Sequence, residues 1–213
     1  MPRIKIAPSI LSADLSRINQ EIKEVEKYSE LIHVDIMDGI FVPGTTIDLE
    51  FVKKIRTKVP LDIHLMVHEP SNFYIKSFID AGAYSITVHE EACKYPFNQI
   101  KFIKRNNVKA AISIKPATSL DKIKKYTALV DMVLIMTVEP GWAGQKFIEA
   151  TMPKVRELRR LKPHIDIEVD GGINPYTARV AFENGANVFV AGTSIFGKSD
   201  RVAAIKEILK GLK

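Results

Sequence analysis

Short runs of apolar, β-branched residues recur along the chain, separated by charged stretches. The runs Ile4–Ile10, Leu31–Ile36, Leu61–Met66, Tyr84–His89, Lys109–Ile114, Met132–Met136, Ile165–Val169 and Val188–Ala191 read as strands. They begin about every 25 residues, which leaves room for a crossover helix between each pair. Two intervening segments carry helical stripes: Ile18, Ile22, Val25 and Val155, Leu158, Leu161. Asp14 is placed to cap the first helix, and Ser119 and Ser199 are candidate N-caps. Pro70 and Pro175 fall where a first helical turn tolerates proline.

Strand and helix alternating eight times predicts parallel pairing. A closed barrel and an open doubly wound sheet both satisfy the pattern. A (β/α)8 barrel takes about 250 residues, with a floor near about 200. The 213-residue chain therefore fits a compact barrel. No linker, low-complexity stretch or second domain interrupts the pattern. The expectation is an α/β protein, a single (β/α)8 TIM barrel forming one catalytic domain over residues 1–213.

Composition narrows the picture. Apolar residues at 46% and charged residues at 26% exclude a disordered chain. Runs such as Met132–Met136 are too short to cross a bilayer. The start Met1-Pro2-Arg3-Ile4-Lys5 lacks the apolar region of a secretory signal. The single cysteine, Cys93, cannot form an internal disulfide and fits a reducing cytosol. The net charge of +6 is scattered in pairs such as Lys53-Lys54, Lys124-Lys125 and Arg159-Arg160. That scatter reads as solvated helix faces rather than a nucleic-acid surface. A mildly positive protein also draws small phosphorylated anions.

In a barrel, chemistry sits at the C-terminal strand ends. Strand two ends His33-Val34-Asp35-Ile36-Met37, so His33, Asp35 and Met37 share a face. On strand three His64 and Met66 share a face, and strand seven ends at Asp170. Two histidines and two carboxylates converging on the mouth would suit Zn, Mn, Co or Fe as a divalent ion. Three glycine-containing loops follow nearby strands: Gly141-Trp142-Ala143-Gly144, Gly171-Gly172 and Gly192-Thr193. Small residues let backbone N–H groups approach an anion such as phosphate.

A divalent metal beside two opposed carboxylates suits proton abstraction next to a carbonyl, through a metal-stabilised enediolate. Asp35 and Asp170 are the pair placed to work on opposite faces, which inverts a stereocentre. Met37, Met66 and Met136 would wall the planar intermediate. His89 is a candidate further contact. His68 and His164 read as surface residues, Cys93 as inert, and Lys115 as a solvated strand end. Trp142 reads either as a lid or as loop packing.

These residues resemble the ribulose-phosphate 3-epimerase family. The resemblance runs from Ile6-Ala-Pro-Ser-Ile-Leu-Ser-Ala-Asp14 to Gly192–Phe196. It is carried by His33-Val-Asp-Ile-Met-Asp-Gly39, Phe41-Val-Pro43, Asp62-Ile-His-Leu-Met-Val67, Met136-Thr-Val-Glu-Pro-Gly-Trp-Ala-Gly-Gln145 and Glu168-Val-Asp-Gly-Gly-Ile-Asn174. It implies a cytosolic barrel enzyme with one divalent metal per subunit, interconverting D-ribulose 5-phosphate and D-xylulose 5-phosphate in the pentose phosphate pathway. It implies His33, Asp35, His64 and Asp170 as ligands, with Asp35 and Asp170 as acid/base residues. Ser9 and His64 match substrate contacts, and Gly141–Gly144, Gly171-Gly172 and Gly192-Thr193 match the phosphate grip. It implies a homo-oligomer, a dimer or hexamer, with a phosphorylated ketose as substrate and neither nucleic acid nor membrane as partner. Gly44, Asp48, Lys115, Ala143 and Thr193 depart from the family pattern. Gly192-Thr-Ser194 also resembles the loop of allulose-6-phosphate 3-epimerases, which keeps a six-carbon substrate open. A phosphosugar lyase or decarboxylase on the same barrel would need a lysine among the carboxylates, and none stands at the ends of strands two and three.

Overall fold

The computed structural model describes residues 2–212; Met1 and Lys213, the ends of the expected domain, lie outside the described residues. The strands are β1 (Lys5–Pro8), β2 (Ile32–Met37), β3 (Leu61–Met66), β4 (Ala83–His89), β5 (Lys109–Ile114), β6 (Met132–Met136), β7 (Asp166–Asp170) and β8 (Val188–Ala191). The helices are α1 (Ile18–Val25), α2 (Leu49–Val52), α3 (Asn72–Asp80), α4 (Pro96–Arg105), α5 (Met152–Leu161), α6 (Pro175–Glu183), α7 (Thr193–Phe196) and α8 (Arg201–Lys210). All strand pairs are parallel, in the order β1-β8-β7-β6-β5-β4-β3-β2. A parallel bridge between Ser9 and His33 and a hydrogen bond from Leu31 N to Ile6 O (3.3 Å) bring β1 against β2. The sheet is the expected (β/α)8 barrel.

Alternation along each strand separates two cores. Ile6, Val133, Ile167 and Phe189 point outward and pack with the buried helix faces, including Ile22, Ile75, Ile100 and Leu158. Their neighbours Ala7, Ala111, Met132, Val188 and Val190 form a small apolar cluster on the inner face. Farther along the inner face, toward the C-terminal strand ends, the buried residues turn polar: His33, Asp35, Asp62, His64, Thr87, His89 and Glu168. A parallel barrel buries both faces of its strands, so polar groups here are costly, and His33 Nε2, Thr87 Oγ1 and both Glu168 carboxyl oxygens find no well-formed hydrogen bond among the described residues.

Several helix signals resolve differently from the pattern. Asp14 Oδ1 accepts from Ser16 N at 3.0 Å, capping a 3-10 turn (Leu15–Arg17) rather than α1. Pro70 lies before the cap Ser71 of α3, and Asp200 rather than Ser199 caps α8. Leu161 ends α5 and is exposed, unlike Val155 and Leu158 of the same stripe. Ser119 does cap, but it caps a 3-10 turn. The fifth crossover contains two such turns (Leu120–Lys122 and Lys124–Tyr126) in place of an α-helix. Its buried Leu120, Ile123 and Tyr126 recur every three residues, the 3-10 period. No helix among the described residues is long and apolar enough to cross a membrane.

Candidate active site

A concavity opens at the C-terminal mouth. Ser9, Asp35, Met37, Met66, Met136 and Asp170 line its base. Gly141, Trp142, Ala143, Gly144, Gly171, Gly172, Gly192 and Thr193 line its sides. His33 and His64 are fully buried beneath it. The sequence-derived set is thus gathered in one place.

One ligand atom each from His33, Asp35, His64 and Asp170 lies within 4.8 Å of the others. His33 Nε2 is 3.3 Å from Asp35 Oδ1 and 4.0 Å from Asp170 Oδ2. His64 Nδ1 is 3.0 Å from Asp35 Oδ1 and 3.8 Å from Asp170 Oδ2. His33 Nε2 is buried without a well-formed hydrogen bond among the described residues. A buried, underused nitrogen facing two carboxylates fits a divalent cation of the Zn, Fe, Mn or Co type.

The surroundings set each group's protonation. Burial alone would raise the Asp35 carboxyl, but the charge of His33 and hydrogen bonds with His33 and His64 outweigh it and hold it far below the usual range. Burial and the charge of Asp35 push Asp170 up to about 6. The Ser9 hydroxyl donates to Asp35 Oδ2 at 2.7 Å. Thr46 Oγ1 donates to the Asp35 carbonyl at 2.6 Å and fixes the strand end.

A second polar tier lies one inward-facing residue below. His33 Nδ1–H donates to Asp62 Oδ2 at 2.8 Å, and Ser85 Oγ donates to Asp62 Oδ1 at 2.6 Å. Glu168 lies 3.6 Å from His33 Nδ1, and burial and the Asp62 charge raise its carboxyl well above the usual range. His89 Nε2 is 2.8 Å from His64 Nε2. Pattern and spacing alone give no role to Asp62, Ser85, Glu168 or Glu91. Asp62 stands two residues before His64, and Glu168 two before Asp170, so the period of two was the available signal.

The glycine loops are tied together. Thr137 Oγ1 donates to Gly171 O at 2.6 Å, and Ser194 Oγ donates to Ile173 O at 2.6 Å. Gly44 comes so close to this cradle that a Cβ on it would sit 2.6 Å from Gly141 O. Trp142 is 55% exposed on the rim, free of the core. His68 and His164 are exposed, as expected. Burial pushes the Cys93 thiol up to about 12, which keeps it unreactive. Lys115 places its ammonium 4.0 Å from the Phe41 ring centroid rather than in solvent alone.

The fold and the site define the class: a barrel enzyme with a buried two-histidine, two-carboxylate centre under a small-residue cradle. Residues 5–196 match the model of the Ribulose-phosphate 3 epimerase family. A ribulose-phosphate 3-epimerase of Bacillus subtilis is 47% identical, over 96% of this chain and 98% of its own. The cytoplasmic isoform of Oryza sativa is 40% identical, over 98% of this chain and 94% of its own. The chain belongs to the ribulose-phosphate 3-epimerase family. 3-Hexulose-6-phosphate synthase from Salmonella typhimurium shares the fold at a TM-score of 0.78 and 18% identity, covering 98% of each chain.

Proposed function

We propose that this chain interconverts D-ribulose 5-phosphate and D-xylulose 5-phosphate by proton transfer at C3, as one catalytic domain. The observation that carries the reading is the convergence of His33, Asp35, His64 and Asp170 within 4.8 Å at the floor of the mouth. His33, Asp35, His64 and Asp170 would hold the divalent ion. A bound divalent ion supplies positive charge that offsets the negative charge developing on the substrate oxygens.

The chain's own groups do the rest. Asp35 takes the C3 proton from one face, and Asp170, when protonated, returns a proton to the other. The roles reverse with the direction of reaction. Ser9 holds Asp35 by the hydrogen bond to Oδ2 and contacts substrate beside His64. Met37, Met66 and Met136 wall the site against water. Backbone N–H groups of Gly141–Gly144, Gly171-Gly172 and Gly192-Thr193 receive the phosphate, with Trp142 at the rim.

The reading includes a cytosolic homo-oligomer without nucleic-acid or membrane partners. Free, buried Cys93 fits a reducing compartment. Exposed Ile40, Phe73, Tyr95 and Phe97, on the loops and first helical turns after β2, β3 and β4, support self-association.

Asp35→Asn tests the mechanism. The variant should fold and lose turnover by about 10³-fold, the scale of a lost acid/base group. Near-native turnover in a folded Asp35→Asn protein would sink the two-carboxylate mechanism.

A further inference from the structure

Two imidazoles of the ligand set reach the site through different nitrogens. His33 presents Nε2 and donates its Nδ1–H directly to Asp62. His64 presents Nδ1 to Asp35 and Asp170, which leaves Nε2 to find a partner away from the site. That partner is another imidazole, His89 Nε2 at 2.8 Å. His89 Nδ1 in turn lies 3.3 Å from Glu91 Oε2, and Glu91 Oε1 accepts from Lys115 N at 2.7 Å. His64 and His89 are fully buried, with Phe41 packed on the His89 ring at 4.9 Å between centroids.

The proton positions follow from donor and acceptor chemistry. A neutral imidazole has one N–H and one bare nitrogen, and two ring nitrogens 2.8 Å apart need one proton between them. If His64 ligates through Nδ1, its proton sits on Nε2 and it donates. His89 must then accept at Nε2 and carry its own proton on Nδ1. That proton meets a carboxylate, which only accepts. The chain of contacts is therefore self-consistent in one direction, ending on Glu91.

We propose that His89 and Glu91 are positioning residues that fix the tautomer and ring orientation in which His64 offers Nδ1 to the site. The proposal rests on the divalent-ion reading of His33, Asp35, His64 and Asp170. Partners in this position hold a ligating imidazole in register, and their removal weakens metal binding about 10- to 100-fold. The long path is a consequence of the fold: β4 carries no carboxylate, and Glu91 stands beyond the strand, on the turn Glu90–Ala92.

The test strips the purified protein with chelator and titrates it with Co²⁺, reading affinity by competition and ligand geometry by the visible absorption of bound Co²⁺. His89→Leu fills the space without accepting a proton, and should weaken Co²⁺ about 10- to 100-fold and alter the visible bands. His89→Gln can accept from His64 and donate to Glu91, and should bind within about threefold of the parent with its spectrum kept. Glu91→Ala leaves the ligands untouched and should weaken binding about tenfold, which keeps the proposal testable if His89→Leu does not fold. A His89→Leu protein with parental affinity and spectrum would overturn the proposal. So would His89→Gln failing as badly as His89→Leu, because a packing role would not distinguish them in that way. A parent protein that binds no Co²⁺ would instead overturn the divalent-ion reading beneath it.

Discussion

Gly171 shapes the mouth by what it lacks. Its φ of +117° is left-handed, and a Cβ there would lie 2.3 Å from Val138 Cγ2. It also follows Asp170 directly, so any shift of the loop moves that carboxylate. Gly171→Ala should destabilise the protein by about 1–3 kcal/mol through strain and overpacking. It should also raise KM about tenfold through the displaced cradle. Unchanged KM and melting temperature would contradict the close approach. At this scale Asp35, His64 and Asp170 were legible, because they are polar residues at the C-terminal ends of buried strands. Asp62, Glu168 and His89 were less so. Their meaning depends on which nitrogen of a neighbouring imidazole faces them, and only three-dimensional register supplies that.

The elements were legible where burial and period agree. All eight strands match the apolar runs to within a few residues, because each is buried on both faces. The fifth crossover did not, since a stripe recurring every three residues imitates a helix in a charged segment. Caps depend on local backbone geometry, which spacing alone does not fix. Asn174 shows what a good cap does here. Its Oδ1 accepts from Tyr176 N and Thr177 N, and Thr177 Oγ1 donates to Gly172 O at 2.8 Å. The start of α6 is thereby joined to the loop after β7. Asn174→Ala should cost about 1 kcal/mol, the usual worth of a cap. It should also raise KM more than it lowers kcat, since the cradle loosens while the carboxylates stay. Denaturant unfolding with steady-state kinetics checks both, and a fall in kcat alone would contradict the coupling.

Across the whole molecule, the barrel joins its first helix to its last. Arg201 of α8 reaches Glu21 of α1 at 2.8 Å and Glu24 at 2.6 Å, with Glu21 only 1% exposed. Removing the guanidinium leaves the buried carboxylate with Arg17 at 3.0 Å and the Asp14 N–H at 3.3 Å. Arg201→Met should cost about 2–3 kcal/mol by denaturant melt. A loss near zero would show that solvent already screens the pair. Such closure holds strands from both chain ends in one mouth, where β1 leads into Ser9 and β8 into Gly192. On the proposed reading, this mouth moves a proton at C3 between two carboxylates around a divalent ion. The most direct test strips the ion with chelator and adds back Zn²⁺, Mn²⁺, Fe²⁺ or Co²⁺ in deuterated water. D-ribulose 5-phosphate and D-allulose 6-phosphate are then compared by kcat/KM. Turnover should return with the ion, with solvent deuterium at C3 and the five-carbon sugar preferred. No turnover and no exchange on either sugar, with the ion bound, would contradict it.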